Sequence, residues 1–374
     1  MGRYRPEPTI KIVTGNPWPI GCPPIFLTMK AVQITARRKV ELVEIEEPQI
    51  QPSETDTIKV RVEKGCLCGS DVPFFEYDLS GLEHTTQEAR FFLHSGLDYD
   101  RDSIYPLRPG LSLHECLGTV VDSTSDRFRV GEYVLAIPGR HDAFLECFTV
   151  AADHAIPMPK EGVKENEILM AQPLGTVICA CRKFGNVLNK DVVVFGQGPI
   201  GLLFDHLLRN MGARSIIAVD WIDQRLEAAR KMLATDVINP EREDLCEAVE
   251  RITAGRMADI VVEAAGHQEE TINTCFTLAR MGGTVMAFGF PDSLNYDDFQ
   301  MQEFFRKNLT LIGSVGPDII ADCSLARDMI ASGTLRVAPL VTDCLPFSEA
   351  QTAYEIFSQR KKGAIKVFLD FRAG

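Results

Sequence analysis

Strands and helices alternate regularly after about residue 170, whereas the chain before that point breaks into short strands. Together these textures predict an α/β protein that combines a β-rich domain with a doubly wound parallel sheet. A third observation supports the parallel sheet: Asp191-Val192-Val193-Val194-Phe195 is a continuous apolar run, as suits a strand covered on both faces. With 374 residues the chain is long enough for two domains that each bury a core.

Taken in order, residues 1–28 are Pro-rich and read as an irregular extension. Met29–Ile34 reads as the first strand, and Ile58–Val62 alternates apolar and polar side chains as a half-buried strand does. Gly118–Val121 and Tyr133–Ile137 continue the β-rich half. Beyond the strand Asp191–Phe195 come a helix Ile200–Met211, a strand Ser215–Val219 and a helix Asp223–Leu233. Strands at Asp259–Glu263 and Gly283–Phe288 follow, and the last segment ends in a strand at Ala364–Leu369.

Bulk composition narrows the function. Hydrophobic residues make up 45% and charged residues 24%, ordinary for a soluble globular protein. A net charge of -13 argues against a nucleic-acid or anionic-membrane surface, which needs clustered Lys and Arg. The 11 cysteines show no framework spacing, so reduced thiols in a cytoplasmic protein are expected. No apolar run reaches the roughly 18–20 residues of a membrane span. Prolines 6, 8, 17, 19, 23 and 24 interrupt any signal-peptide core.

The sharpest motif is Gly196-Gln197-Gly198-Pro199-Ile200-Gly201, which follows an apolar strand and opens a helix. That context turns backbone N–H groups and a helix N-terminus toward a dinucleotide pyrophosphate. Gly196 makes the tight turn, Gly198 admits the phosphates and Gly201 lets helix and strand pack closely. Asp220 closes the next strand, where a carboxylate bonds ribose hydroxyls and repels a 2′-phosphate, so NAD is expected over NADP. Arg225 stands close enough to affect that choice, although an exposed first-turn arginine would explain it equally. Trp221 could lie against the adenine.

Two upstream clusters carry potential chemistry: Gly65-Cys66-Leu67-Cys68-Gly69-Ser70-Asp71, and His114-Glu115 followed by Gly118. A thiolate and an imidazole held together suit Zn²⁺, which polarises an alcohol oxygen. Either cluster alone reads equally well as a turn or a structural histidine. Together with the glycine loop, Gln172-Pro173-Leu174, Glu263-Ala264-Ala265-Gly266 and Gly363-Ala364-Ile365-Lys366-Val367, they resemble the medium-chain dehydrogenase/reductase superfamily in its zinc-dependent alcohol, polyol and threonine dehydrogenase branch. The resemblance runs from about Met29 to the end of the chain.

That resemblance implies a GroES-like catalytic domain over 29–172 and 315–374, and an NAD-binding Rossmann domain over 173–314. It implies that Cys68 and His114 bind one catalytic zinc, that Ser70 relays the substrate proton and that Asp71 orients His114. Glu115 and Gln172 are the further ligand candidates, and Ala265 and Gly266 line the cofactor cleft. It also implies a homodimer or homotetramer, paired through an edge strand near Leu309–Val315.

The departures from the family pattern are informative. Gln172 stands where relatives carry a carboxylate or thiolate, a neutral amide being the weaker zinc ligand. Pro73 takes the place of a frequent relay histidine, and Leu113 replaces the glycine before His114. The four-cysteine structural-zinc lobe is missing, so no structural zinc is expected. An insertion over about 77–105, with Arg90, Phe91, Phe92, His94, Tyr99 and Arg101, is expected to overhang the pocket, or else to form an oligomer contact or a surface loop. Cys179 and Cys181 read as core residues, Cys66 as a small buried turn residue, and His84 and His141 as surface residues.

The leading expectation is an NAD-dependent dehydrogenase of a secondary alcohol, polyol or hydroxy acid. A zinc-free reductase of an activated C=C bond or quinone, and a catalytically silent cofactor-binding protein, are the alternatives.

Overall fold

The computed structural model describes residues 27–78, 105–266, 269–291, 295–360 and 363–373. Thr28–Ala36 (β1) and Lys39–Glu46 (β2) form an antiparallel pair. Thr57–Cys66 (β3), Glu115–Ser123 (β4), Tyr133–Ala136 (β5), Cys147–Ala151 (β6) and Ala155–Pro157 (β7) build the β-rich half. Asp191–Phe195 (β8), Ser215–Val219 (β9), Asp236–Ile238 (β10), Ala258–Glu263 (β11), Ala279–Ala287 (β12) and Thr310–Gly313 (β13) make a second sheet. Val341–Pro346 (β14) and Lys366–Asp370 (β15) then return to the first.

The first sheet has seven strands in the order β14-β15-β3-β4-β5-β7, with β6 paired to β3. The second has six parallel strands in the order β10-β9-β8-β11-β12-β13. The expected α/β class is therefore the observed one, and β8 and β9 occupy the residues read from the sequence. Beyond β8 the chain winds outward through β9 and β10, then crosses back to β11 on the other side. That reversal opens a crevice at the carboxyl ends of β8 and β11, where such sheets bind ligands. The short β10 was not anticipated, because only Val237 and Ile238 carry its apolar signal.

The two sheets share one core around the helix Ala171–Cys181, where Leu117, Leu135 and Phe368 meet Val192, Leu202 and Phe204. The helix Ile319–Ala331 packs against it, so closely at Gly175 that a Cβ there would stand 2.6 Å from Cys323 Sγ. Cys181 is buried as expected, whereas Cys179 is partly exposed and its thiol donates to Gly316 O at 3.5 Å. No helix among the described residues is long and apolar enough to cross a membrane. The insertion between residues 79 and 104, with His84, Arg90, Phe91, Phe92, His94, Tyr99 and Arg101, lies outside the described residues.

Candidate active site

The glycine loop sits at the crevice. Gly196 has φ +97° and its Cα faces the Ala265 backbone so closely that a Cβ would lie 2.6 Å from Ala265 N. A Cβ on Gly201 would collide with Gly196 O. A Cβ on Gly198 would instead meet open space, its nearest neighbour being Arg225 Nη1 at 3.9 Å. Two of the glycines are thus required by packing, and the third keeps a cradle empty at the start of the helix Pro199–Asn210, where Pro199 and Ile200 form the first turn. That is the shape a pyrophosphate needs.

Asp220 closes this loop from below. Its Oδ2 accepts from Gln197 N and its Oδ1 from Ile222 N, both at 2.8 Å. Arg225 Nη1 lies 3.9 Å from Asp220 Oδ2, and Arg225 Nη2 donates to Ala364 O at 3.4 Å. The arginine is buried, so the reading of Arg225 as an exposed helix residue is corrected. Trp221 stands edge-on to Phe195 and is 40% exposed, leaving part of its ring at the surface. Across the crevice Glu263 Oε1 accepts from Ala265 N at 3.0 Å, Gly266 N at 2.9 Å and Thr271 Oγ1 at 3.0 Å, fixing the turn after β11.

The upstream clusters meet because of strand register. Cys66 at the end of β3 pairs with Glu115 at the start of β4, so the residues just beyond each strand face one another. Donor atoms of Cys68, His114 and Glu115 all lie within 4.8 Å of one another. Among the described residues this is where three such donors converge.

Asp71 ties the two clusters together. Its Oδ2 accepts from Cys68 N at 2.7 Å, its Oδ1 accepts from Leu113 N at 3.0 Å, and Oδ1 stands 3.6 Å from His114 Nδ1. Burial by itself would raise this carboxyl, but His114 outweighs it and holds the group at about 2. Burial would likewise lower the His114 imidazole, yet Asp71 and Cys68 hold it well above its ordinary range. A sulfur, an imidazole nitrogen and a carboxylate oxygen facing one point are the donor types that a borderline cation such as Zn²⁺ takes. The donor set therefore fits zinc, with Asp71 placed as the orienting carboxylate.

Leu113 enters this turn at φ +69°, behind Ser112 at φ +82°, a conformation that glycine adopts without strain. Neighbouring groups hold the strained pair in place. Ser112 N donates to His141 O at 2.6 Å, Ala143 N donates to Leu113 O at 3.2 Å, and Tyr354 Oη donates to Ser112 Oγ at 2.6 Å. Pro73 is buried in the short helix Val72–Glu76 just past Asp71.

Two neighbours escaped the sequence reading. The sequence predicts a surface position for His141. Instead it is half-buried, with its ring edge-on to His114 at a centroid distance of 4.3 Å. The strap between β5 and β6 that carries it folds back over the site, a contact no local pattern announces. The second is Lys366 on β15, whose Nζ donates to both Glu115 oxygens at 2.7 and 2.6 Å and to Leu67 O at 3.0 Å. Both side chains of the pair are almost fully buried. A signal was available, since Lys366 interrupts the apolar strand Ile365–Leu369. Burial by itself would lower the Lys366 ammonium, but the cysteine and glutamate side chains around it raise it further.

Ser70 lies half-buried in the turn Gly69–Asp71, beside Cys68. Gln172 is buried in the first turn of the helix Ala171–Cys181, and its side chain makes no hydrogen bond among the described residues.

Comparison with known proteins agrees with this arrangement. Residues 199–332 match the family model described as zinc-binding dehydrogenase. A protein named probable D-xylulose reductase A from Arthroderma otae is 32% identical over 254 residues, covering 67% of this chain and 69% of that protein. Sorbitol dehydrogenase 1 of Saccharomyces cerevisiae is 28% identical over 315 residues, covering 80% and 86% of the two chains. The solved structure of an alcohol dehydrogenase from Thermus sp. ATN1 superposes with a TM-score of 0.77 at 23% identity, covering 92% of this chain and 100% of that one. The fold, the converging donors and these relatives lead to one conclusion: the chain belongs to the zinc-dependent medium-chain alcohol and polyol dehydrogenase family.

Proposed function

We propose that this protein oxidises a secondary alcohol, polyol or hydroxy acid with NAD. The observation that carries the reading is the convergence of Cys68, His114 and Glu115 donor atoms within 4.8 Å. Relatives named sorbitol dehydrogenase, D-xylulose reductase and L-threonine 3-dehydrogenase support a hydroxyl-bearing substrate. In this reading Cys68, His114 and Glu115 hold the metal, with Gln172 as a neutral fourth candidate. When bound, zinc supplies polarisation of the substrate hydroxyl and the nicotinamide supplies a hydride acceptor.

The chain's own groups do the rest. Asp71 keeps the His114 ring turned toward the donors while fixing Cys68 and Leu113 through their backbone N–H groups. Ser70 Oγ accepts the substrate hydroxyl proton and passes its own to water. Gly196–Gly201 with Arg225 receive the pyrophosphate, Asp220 takes the ribose hydroxyls, and Ala265 and Gly266 line the nicotinamide side. Residues 29–172 with 315–374 form the catalytic unit and 173–314 the cofactor unit. The protein works in the cytoplasm as a dimer or tetramer, joined along the sheet edge at β13.

A polyol and hydroxy-acid screen with NAD, coupled to metal analysis of protein purified without chelator, tests this. About one zinc per chain and NADH formation are expected. Full activity in metal-free protein refutes the zinc reading. The neutral Gln172 favours a second reading, a zinc-free reductase of an activated C=C bond or quinone, which metal-free protein that oxidises no alcohol but reduces such a substrate would support.

A further inference from the structure

The strand order divides the crevice between the two halves of a dinucleotide. In the NAD reading proposed above, Asp220 just past β9 takes the adenosine ribose, so the nicotinamide half falls over the carboxyl ends of β11 and β12. A buried acid stands at that end. It is Glu263, the last residue of β11, which lies on the far side of β8 from Asp220.

Its carboxylate is held by neutral groups. Oε1 accepts from Ala265 N at 3.0 Å, Gly266 N at 2.9 Å and Thr271 Oγ1 at 3.0 Å. Three donors on one oxygen favour the charged form, and none of them brings a positive charge to cancel it. Burial pushes this carboxyl above its ordinary range, opposed by the same backbone and hydroxyl donors. Oε2 lies against Gly289, two residues past β12, where a Cβ would collide with it and with Gly266 N. Glu263 O closes the clamp, accepting from Gly289 N at 2.9 Å and Phe288 N at 3.1 Å. The acid is thus locked between the ends of two strands.

We propose that Glu263 is an electrostatic positioning residue, a fixed anion at the nicotinamide end of the crevice that favours the oxidised cofactor over the reduced one. The pyridinium ring of NAD carries a positive charge, and hydride uptake leaves it neutral in NADH. A carboxylate locked in a water-poor site attracts the first form and not the second, because charges there are screened far less than in bulk water. Held by the turn Ala265–Gly266, it cannot swing away to solvent. In the alcohol-oxidising direction the same preference loosens the product NADH. This role rests on the reading of Gly196–Gly201 and Asp220 as the NAD site.

Equilibrium titrations of the protein as purified with NAD, NADH and ADP-ribose, on wild type and two variants, test it. Glu263→Gln keeps an acceptor oxygen for the three donors and removes the charge. The ratio of Kd for NAD to Kd for NADH should rise about fivefold, while Kd for ADP-ribose, which lacks the ring, stays within about twofold. Glu263→Asp keeps the charge on a shorter arm, so its ratio should stay within about twofold of wild type even where both Kd values rise. An unmoved ratio in Glu263→Gln, or the same shift in both variants, overturns the proposal. If Glu263→Gln does not fold, Glu263→Ser, which leaves room for water on the three donors, takes its place in the same comparison. Wild type that binds neither ADP-ribose nor NAD overturns the NAD reading and this role together. Binding with an unmoved ratio overturns the role alone.

Discussion

Replacing Lys366 with methionine isolates the buried pair behind the donor cluster. The ammonium lies 2.6–2.7 Å from both Glu115 oxygens, and neither side chain is more than 1% exposed. At an effective dielectric of about 20, that separation gives an attraction of about 6 kcal/mol, much of it offset by the cost of stripping water from both ions. Removing only the lysine keeps Glu115's desolvation cost and discards the compensation, which costs about 3–5 kcal/mol. Against a typical domain stability this is a large fraction, and the melting temperature should fall by on the order of 10 °C. Adding Glu115→Gln in the same chain removes the stranded charge and should recover about 2 kcal/mol or more. Urea unfolding followed by circular dichroism, with chelator and with saturating zinc, measures the full cycle. Because Glu115 also faces Cys68 and His114, the loss in Lys366→Met should shrink when zinc is present. A single-variant loss below about 1 kcal/mol, or a double variant no better than Lys366→Met, would refute the reasoning.

Three further outcomes are expected. Asp71→Asn removes the charge beside His114, so zinc affinity by competitive chelation should fall about 10- to 100-fold while the fold persists. Leu113→Gly should destabilise less than Leu113→Ala. Both lose the buried side chain, but only glycine relieves the φ +69° strain, and denaturation midpoints give the order. Asp370 donates acid sensitivity: burial would raise its carboxyl, but Lys64 and Arg372 hold it at about 2 against an ordinary 3.8. A depressed carboxylate stabilises above its unfolded value, and the contribution is lost as pH falls from about 4 to 2. Asp370→Asn should therefore flatten the stability–pH curve in that window and lower it by a constant amount, without changing its slope, between pH 6 and 8.

The legible parts of the fold were those written in local periodicity. The apolar run Asp191–Phe195, the glycines after it and Asp220 each announced a strand, a turn and a strand end, and all three lie where expected. Cys68 and His114 were legible as residue types, but their meeting depends on the β3–β4 register, which joins residues across a long insertion. His141 and Lys366 were hidden for the same physical reason. Each reaches the site through tertiary contact, His141 from a strap between strands and Lys366 from a strand 299 residues beyond Leu67. Asp205 was hidden differently: in sequence a single acid on a helix resembles a solvent-facing residue, yet it is fully buried.

The position of Lys366 also bears on when the pocket comes into being. Leu67 leaves the ribosome 299 residues ahead of the lysine that bonds its carbonyl. Glu115 precedes its cation by 251 residues, so at roughly 5–20 residues per second about 13–50 seconds pass before the carboxylate gains it. During that interval Glu115 must stay hydrated, so β4 cannot settle into its final burial. Closure of the first sheet thus belongs to the end of synthesis, after the cofactor-binding half has already emerged.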